Sequence, residues 1–284
     1  VLGSGSNGNA TFVATERVRL LIDAGFSYRR IGQRLAAIGE RVEDLDAVMI
    51  THEHADHVSG LATLAKKTRA AVFLTPPTRA ALGWTKPGSQ GLGSHELGDN
   101  GHELGDNGLG RNGRGWNDSQ ARVEPFGAGR SIVLGDLEID TFTIPHDAID
   151  PIGCCLRWRG VKVGLATDLG YMPDSVKYHI RGCDLLILES NYDTEMLRVS
   201  PYPFFVRQRV GSRNGHLSNH EVAGFLSAEF DRKARTLVLA HLSEHNNHPE
   251  LARLFAQQAL DRAGARDTRL HIARQHEASE VFEF

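Results

Sequence analysis

The stretch His52-Glu53-His54-Ala55-Asp56-His57 places three imidazoles and a carboxylate within six consecutive positions, at the spacing H-x-H-x-D-H. Neutral imidazoles mixed with carboxylates suit Zn, Mn or Fe, whereas an all-oxygen Ca or Mg cage has no need of three histidines. A catalytic zinc usually takes three protein ligands and a water, so four donors this close are hard to aim at one open tetrahedral ion. The crowding points to two metals. The bland alternative is a histidine-rich solvated turn that binds metal adventitiously. Distant ligands elsewhere in the chain decide between the two.

Such ligands recur at the ends of apolar runs. Leu45 to Ile50 reads as a buried strand that exits into the cluster, and Leu137 to Ile144 alternates like a half-buried strand before Pro145-His146-Asp147. Val161 to Ala166 runs out into Thr167-Asp168, Leu185 to Leu188 into Glu189, and Thr236 to Ala240 into His241. One histidine or aspartate at a strand end is commonly a cap or turn residue. Four such exits, joined to the one that carries the dense cluster, favour a shared site.

The elements that must position these residues follow from patterning. Residues 1 to 9, VLGSGSNGN, lack G-K-[ST] and do not fit a dinucleotide fingerprint. They read as a tight turn near the site, with Ser4, Ser6 and Asn7 as polar lining. Ala10 to Ala14 and Val18 to Asp23 look like a hairpin, and Asp23 reads as a supporting carboxylate rather than a ligand. Ser27 caps an expected helix from Tyr28 to Ile38, Val58 to Thr68 reads as a second, and Ser218 to Phe230 as another. Residues 83–120 are rich in Gly, Asn and Asp and contain GSHELGDN followed by GHELGDNG. They read as an insertion or mobile loop, its ends pinned by Trp84 and Trp116. His95, Glu96, Asp99, His102, Glu103 and Asp106 repeat a ligand-like pattern there, but a low-complexity duplication is a poor preorganised site.

The chain of 284 residues is long enough for a full α/β core. With 32 basic and 35 acidic side chains its formal net charge is -3, so no global basic field announces nucleic acid, and only a local groove would serve one. Cys154, Cys155 and Cys183 are too few for a disulfide framework and read as core residues of a reducing compartment. Neither a membrane span nor a signal peptide is found, so a cytoplasmic enzyme is expected.

The ligand pattern closely resembles that of the metallo-β-lactamase fold superfamily, in which H-x-H-x-D-H is followed by a distant His, an Asp and a final His. The resemblance covers almost the whole chain. It implies a single domain over residues 1–284, built as a four-layer αββα sandwich with two mixed sheets flanked by helices. Carried over residue by residue, it implies that His52, His54 and His146 hold one metal, Asp56, His57 and His241 the other, and that Asp168 bridges them. The implied cofactors are two divalent ions, Zn or Mn first and Fe next. SGSNGN, LLIDAG, LLILESNYD, GHLSN and LAHLSEHNN resemble the YycJ/WalJ-like branch, associated with exonuclease activity on double-stranded DNA. Glu189 and His216 resemble the pair that assists proton transfer in tRNase Z-type enzymes. Asp56 and Asp168 with Glu189 and His216 would then form the catalytic set. His245 stands where branch members more often carry an acidic residue, and the 83–120 insertion departs from the compact form.

Two divalent ions ~3.5–4 Å apart can activate a bridging water for in-line attack on a phosphodiester and stabilise the charge that develops. The expected function is therefore a dinuclear phosphodiesterase or nuclease acting on DNA, with 5'-to-3' exonuclease action as the finer expectation. Arg198, Arg207, Arg209, Arg213 and Lys177 are candidate backbone guides, and Tyr192, Tyr202, Phe204 and Phe205 are candidates for base stacking. Hydrolysis of a small phosphodiester, thioester or lactam is the second enzyme reading. A metal-binding structural or interaction module is the non-enzyme reading. Oligomeric state is not legible in the sequence.

Overall fold

The computed structural model describes residues 1–84 and 122–284. The first sheet contains β1 (Thr11–Ala14), β2 (Arg19–Ile22), β3 (Ala47–Met49), β4 (Ala71–Leu74) and β5 (Val123–Pro125), in that spatial order. Its first pair is antiparallel and the others are parallel. The second sheet contains β6 (Ser131–Leu134), β7 (Leu137–Thr143), β8 (Ile152–Trp158), β9 (Val161–Ala166), β10 (Leu185–Glu189), β11 (Thr236–Ala240) and β12 (Arg269–Ile272). They lie in the order β12-β11-β10-β9-β8-β7-β6, parallel from β9 to β12 and antiparallel from β6 to β9.

Side-chain alternation sorts the strands into layers. Ala47 and Met49 of β3 meet Leu185 and Ile187 of β10 and Val238 of β11 in the core between the sheets. The alternate residues face outward. Val48 packs with Ile31, Leu35, Leu61 and Leu64 under helices on one side, and Leu186, Leu188, Leu237 and Leu239 pack with Val176, Val222 and Leu226 on the other. Both faces of these strands are covered, which explains their unbroken apolar sequences. The result is the expected αββα sandwich with mixed sheets.

Register then brings the exits together. Ile22 pairs with Met49 in parallel, so Asp23 and Thr51 leave the first sheet side by side. Ala166 lies opposite Leu188, and Glu189 opposite Ala240, so Asp168, Glu189 and His241 share one carboxyl edge of the second sheet. That edge is where open α/β sheets place their sites.

Several local expectations change. The helix expected over Val58 to Thr68 is two pieces, Ala55–Val58 and Leu61–Lys67. The break falls at Gly60, whose N–H donates to the Ala24 carbonyl at 2.8 Å and where a Cβ would sit 1.9 Å from the Phe26 carbonyl oxygen. Asp56 and His57 sit on the first of these pieces. The helix Tyr28–Ala37 is capped by Ser27, and Asn219–Ala228 by a capping box of Ser218 and Glu221. The helix Pro249–Ala263 was not foreseen, because its buried face is Ala252, Ala256 and Ala259 with Leu260, too small a contrast to stand out. The three cysteines are free and buried. Trp84 is buried, while Trp116 and the tandem copy lie outside the described residues. No helix among the described residues is long and apolar enough to cross a membrane.

Candidate metal centre

Both sheets deliver donors to one buried cluster. His52 and His54 follow β3, and Asp56 and His57 come from the turn after it. His146 follows β7, Asp168 follows β9, Glu189 ends β10, His216 precedes the helix Asn219–Ala228, and His241 follows β11. Asp23, Asp168 and His241 leave their strands with left-handed φ of 63°, 64° and 56°. Such backbone is costly for a residue with a side chain and clusters at functional sites. Here the turn aims each side chain at the cluster.

Hydrogen bonds to groups that only accept fix which ring nitrogen carries the proton. His146 Nδ1–H donates to the Gly215 carbonyl at 3.1 Å and His57 Nδ1–H to Asp23 Oδ2 at 2.8 Å. His241 Nδ1–H donates to Glu189 Oε1 at 2.7 Å. The Thr51 hydroxyl donates to Asp23 and so accepts from His52 Nδ1–H at 3.0 Å. In each neutral ring Nε2 then presents a lone pair to the cluster.

Those lone pairs converge. His54 Nδ1 lies 3.1 Å from His52 Nε2 and 3.2 Å from His146 Nε2. One hydrogen cannot satisfy three nitrogens, but a tetrahedral ion with ligands at ~2.0–2.1 Å separates its donors by ~3.3 Å. Beside them, Asp56 Oδ2 lies 3.3 Å from His241 Nε2 and 3.4 Å from His57 Nε2. Asp168 stands between the groups, with Oδ2 3.5 Å from His57 Nε2 and Oδ1 3.9 Å from His146 Nε2. Its Oδ2 is buried with no hydrogen-bond partner, as expected of an atom shaped for a cation. The donor set fits two divalent ions.

The electrostatics agree. Burial, with the neighbouring His57, pushes the His52 imidazole well below its ordinary pKa; burial and His146 lower His54. Burial opposes charge on His57 too, but Asp168, Asp23 and Asp56 outweigh it and raise its pKa well above the ordinary value. His241 is raised likewise, against burial, by Asp168, Asp56 and Glu189. Burial would raise Asp168, yet His241 and His57 hold it well below the usual carboxylate range. Carboxylates and lone pairs packed this densely call for positive charge.

Glu189 is fully buried and uses both oxygens. Oε1 accepts from His241 and from His216 Nδ1–H, the latter at 2.9 Å, while Oε2 accepts from the backbone N–H groups of Leu169 and Leu217 at 2.8 and 3.0 Å. Burial alone would raise its pKa; His216 and His241 bring it down to about 2. Glu189 thus orients His241 and His216 at once.

All nine residues singled out from the sequence, His52, His54, Asp56, His57, His146, Asp168, Glu189, His216 and His241, meet here. Three supporting residues were missed. Asn9 Nδ2 reaches Asp56 Oδ2 at 3.1 Å and contacts His57 Nε2 at 3.2 Å, Asn191 Nδ2 donates to the His241 carbonyl at 2.7 Å, and Thr51 links Asp23 to His52. Asn and Thr in such places look like turn residues, and no sequence signal separates them. Of the expected polar lining, Ser4 accepts from His241 N–H at 2.8 Å, Asn7 turns to Glu244 at 2.6 Å, and Ser6 is exposed. His245 meets the Tyr202 ring edge-on at 5.8 Å. Tyr192 is buried and packs rather than stacks, and Lys177 is tied to Glu229 at 2.7 Å. The ligand-like residues between 95 and 106 lie outside the described residues.

Comparison with known proteins places the geometry in a family. A model of the beta-lactamase superfamily domain matches residues 18–242. Exodeoxyribonuclease YycJ of Bacillus anthracis is 31% identical over 93% of this chain and 89% of its own length. Exodeoxyribonuclease WalJ of Streptococcus pneumoniae is 32% identical over 93% of this chain and 88% of its own. Among solved structures, the metallo-beta-lactamase fold protein YhfI from Bacillus subtilis superposes with a TM-score of 0.67 at 15% identity, covering 97% of this chain and 95% of that one. The strands that carry the cluster all fall within the matched span, and the chain belongs to the beta-lactamase superfamily.

Proposed function

We propose that this metal-dependent hydrolase is a dinuclear phosphodiesterase acting on DNA, with nucleotides removed from a 5' end as the finer reading. One observation carries the metal chemistry: two donor groups, His52/His54/His146 and Asp56/His57/His241, meet at a buried Asp168 whose Oδ2 has no hydrogen-bond partner. DNA as substrate is supported by the two exodeoxyribonuclease relatives, each aligned over nearly its whole length.

In this reading His52, His54 and His146 would hold one divalent ion, Asp56, His57 and His241 the other, and Asp168 both. The ions would supply Lewis-acid activation of water and of the phosphoryl group. The residues supply the rest. Asp23 and Glu189 fix the ring orientations of His57 and His241, which protects donor geometry. Attack on a phosphodiester expels an alkoxide that needs a proton. His216 is held by Glu189 through Nδ1, which leaves Nε2 to face the substrate and deliver that proton. Its side chain is partly exposed, which opens it to solvent.

The deciding experiment profiles protein of known metal content on double-stranded DNA, single-stranded DNA, RNA and a small diester, using strands labelled at either end. Metal-dependent release of nucleotides from the 5'-labelled end is expected. Metal-replete protein that cleaves none of these phosphodiesters would sink the proposal, and cleavage of the small diester alone would replace DNA by a small substrate.

A further inference from the structure

Beside the cluster lies a helix, Phe204–Val210, with no buried residue. Phe204 and Phe205 are 66% and 57% exposed at its start. Adjacent exposed phenylalanines on a water-facing helix mark a contact surface. We propose that this helix, with the neighbouring Tyr171 and Arg213, is a stacking platform for the unpaired bases of a single-stranded segment of nucleic acid; the inference rests on the phosphodiesterase reading.

Charge supports that occupant. Of the four arginines between residues 196 and 217, Arg198 pairs with Glu195 and Arg209 with Asp147, while Arg207 and Arg213 lie against rings, in a chain whose formal net charge is -3. Flat cations alternate with rings. The Arg213 guanidinium lies 4.1 Å over the Tyr171 ring, and that of Arg207 is 6.0 Å from the Phe204 ring. Bases splayed from a single strand stack on aromatic and guanidinium planes while the same cations take the phosphates. A duplex keeps its base faces covered along its length, and an apolar protein partner has no use for the Arg207 and Arg213 guanidiniums beside the rings.

The platform is also continuous with the site. Arg209 bonds to Asp147, the residue after His146, and His216 N–H donates to the Val210 carbonyl at 2.9 Å. Gly170, two residues beyond Asp168, is packed so closely that a Cβ there would lie 2.0 Å from the Arg213 carbonyl oxygen. A strand lying on the rings is thereby led to the donors.

The test measures binding of a fluorescein-labelled, phosphorothioate-protected single strand to the full chain by anisotropy, beside a blunt duplex and an abasic strand of equal charge. The unmodified protein should prefer the single strand. Phe204→Ala with Phe205→Ala should weaken that binding ~10- to 100-fold, the loss expected for stacked bases, and Phe204→Trp with Phe205→Trp should retain it. Equal affinity of the alanine variant and the parent overturns the platform. So does an equal loss on the abasic strand, or a change of oligomeric state in sedimentation with affinity unchanged. Loss in the alanine and tryptophan variants alike also overturns it, since that marks a packing role. A parent protein that cleaves a small diester but fails these tests loses only the platform. One that binds through the rings yet cleaves no phosphodiester keeps the platform and loses the enzymatic reading.

Discussion

Asp168 reaches donors of both groups from one carboxylate, so its removal should disturb both proposed ion sites. We expect Asp168→Ala or His57→Ala to abolish hydrolysis, assayed on protein whose metal content is measured by mass spectrometry; a metal-replete variant that keeps its activity would refute the ligand assignment. His216→Ala should retain metal while turnover falls ~10²–10⁴-fold, the usual worth of a general acid. An emptied site in that variant would make His216 a ligand and not a proton donor. Asp23 touches His57 only from behind, at 2.8 Å. Its replacement by Ala should lower metal affinity by ~10–100-fold, read by competition with a chelating dye.

At the scale of elements, close backbone packing places the donors. Gly25 sits where the loop after β2 crosses the turn bearing Asp56, and a Cβ there would lie 1.7 Å from the Asp56 carbonyl oxygen. Neither piece of backbone can yield without moving Asp56, so Gly25→Ala should destabilise the fold by ~1–3 kcal/mol in urea unfolding and weaken metal binding together. This also explains what could be read in advance. Strand exits were legible because apolar runs such as Leu185 to Leu188 end abruptly in a donor, and register then follows from parallel pairing. The supports were not. Asn191 and Asn9 act through amides that any turn might carry, and the helix Pro249–Ala263 hides its inner face in alanine. Lys177 reads as a free cation until the fold brings it Glu229, 52 positions away.

For the whole molecule, each proposed ion draws ligands from both sheets: His52 and His54 with His146, and Asp56 and His57 with His241. Chelation should therefore lower the melting temperature, since ions held at 100–1,000 times their Kd contribute ~2.7–4.1 kcal/mol to folding; an unchanged melt would argue against ions spanning the sheets. With a net charge of -3, the proposed grip on a long nucleic acid would fall to local arginines. Arg207→Ala with Arg209→Ala should weaken DNA binding and reduce the slope of log affinity against log salt by ~2. The ratio of DNA to small-diester turnover should fall with it. The division of ligands between sheets also bears on biosynthesis. Four donors fall between residues 52 and 57, but the last one follows only at residue 241. A chain interrupted between them carries histidines without a finished centre, so hydrolysis waits until strands of both sheets have been made.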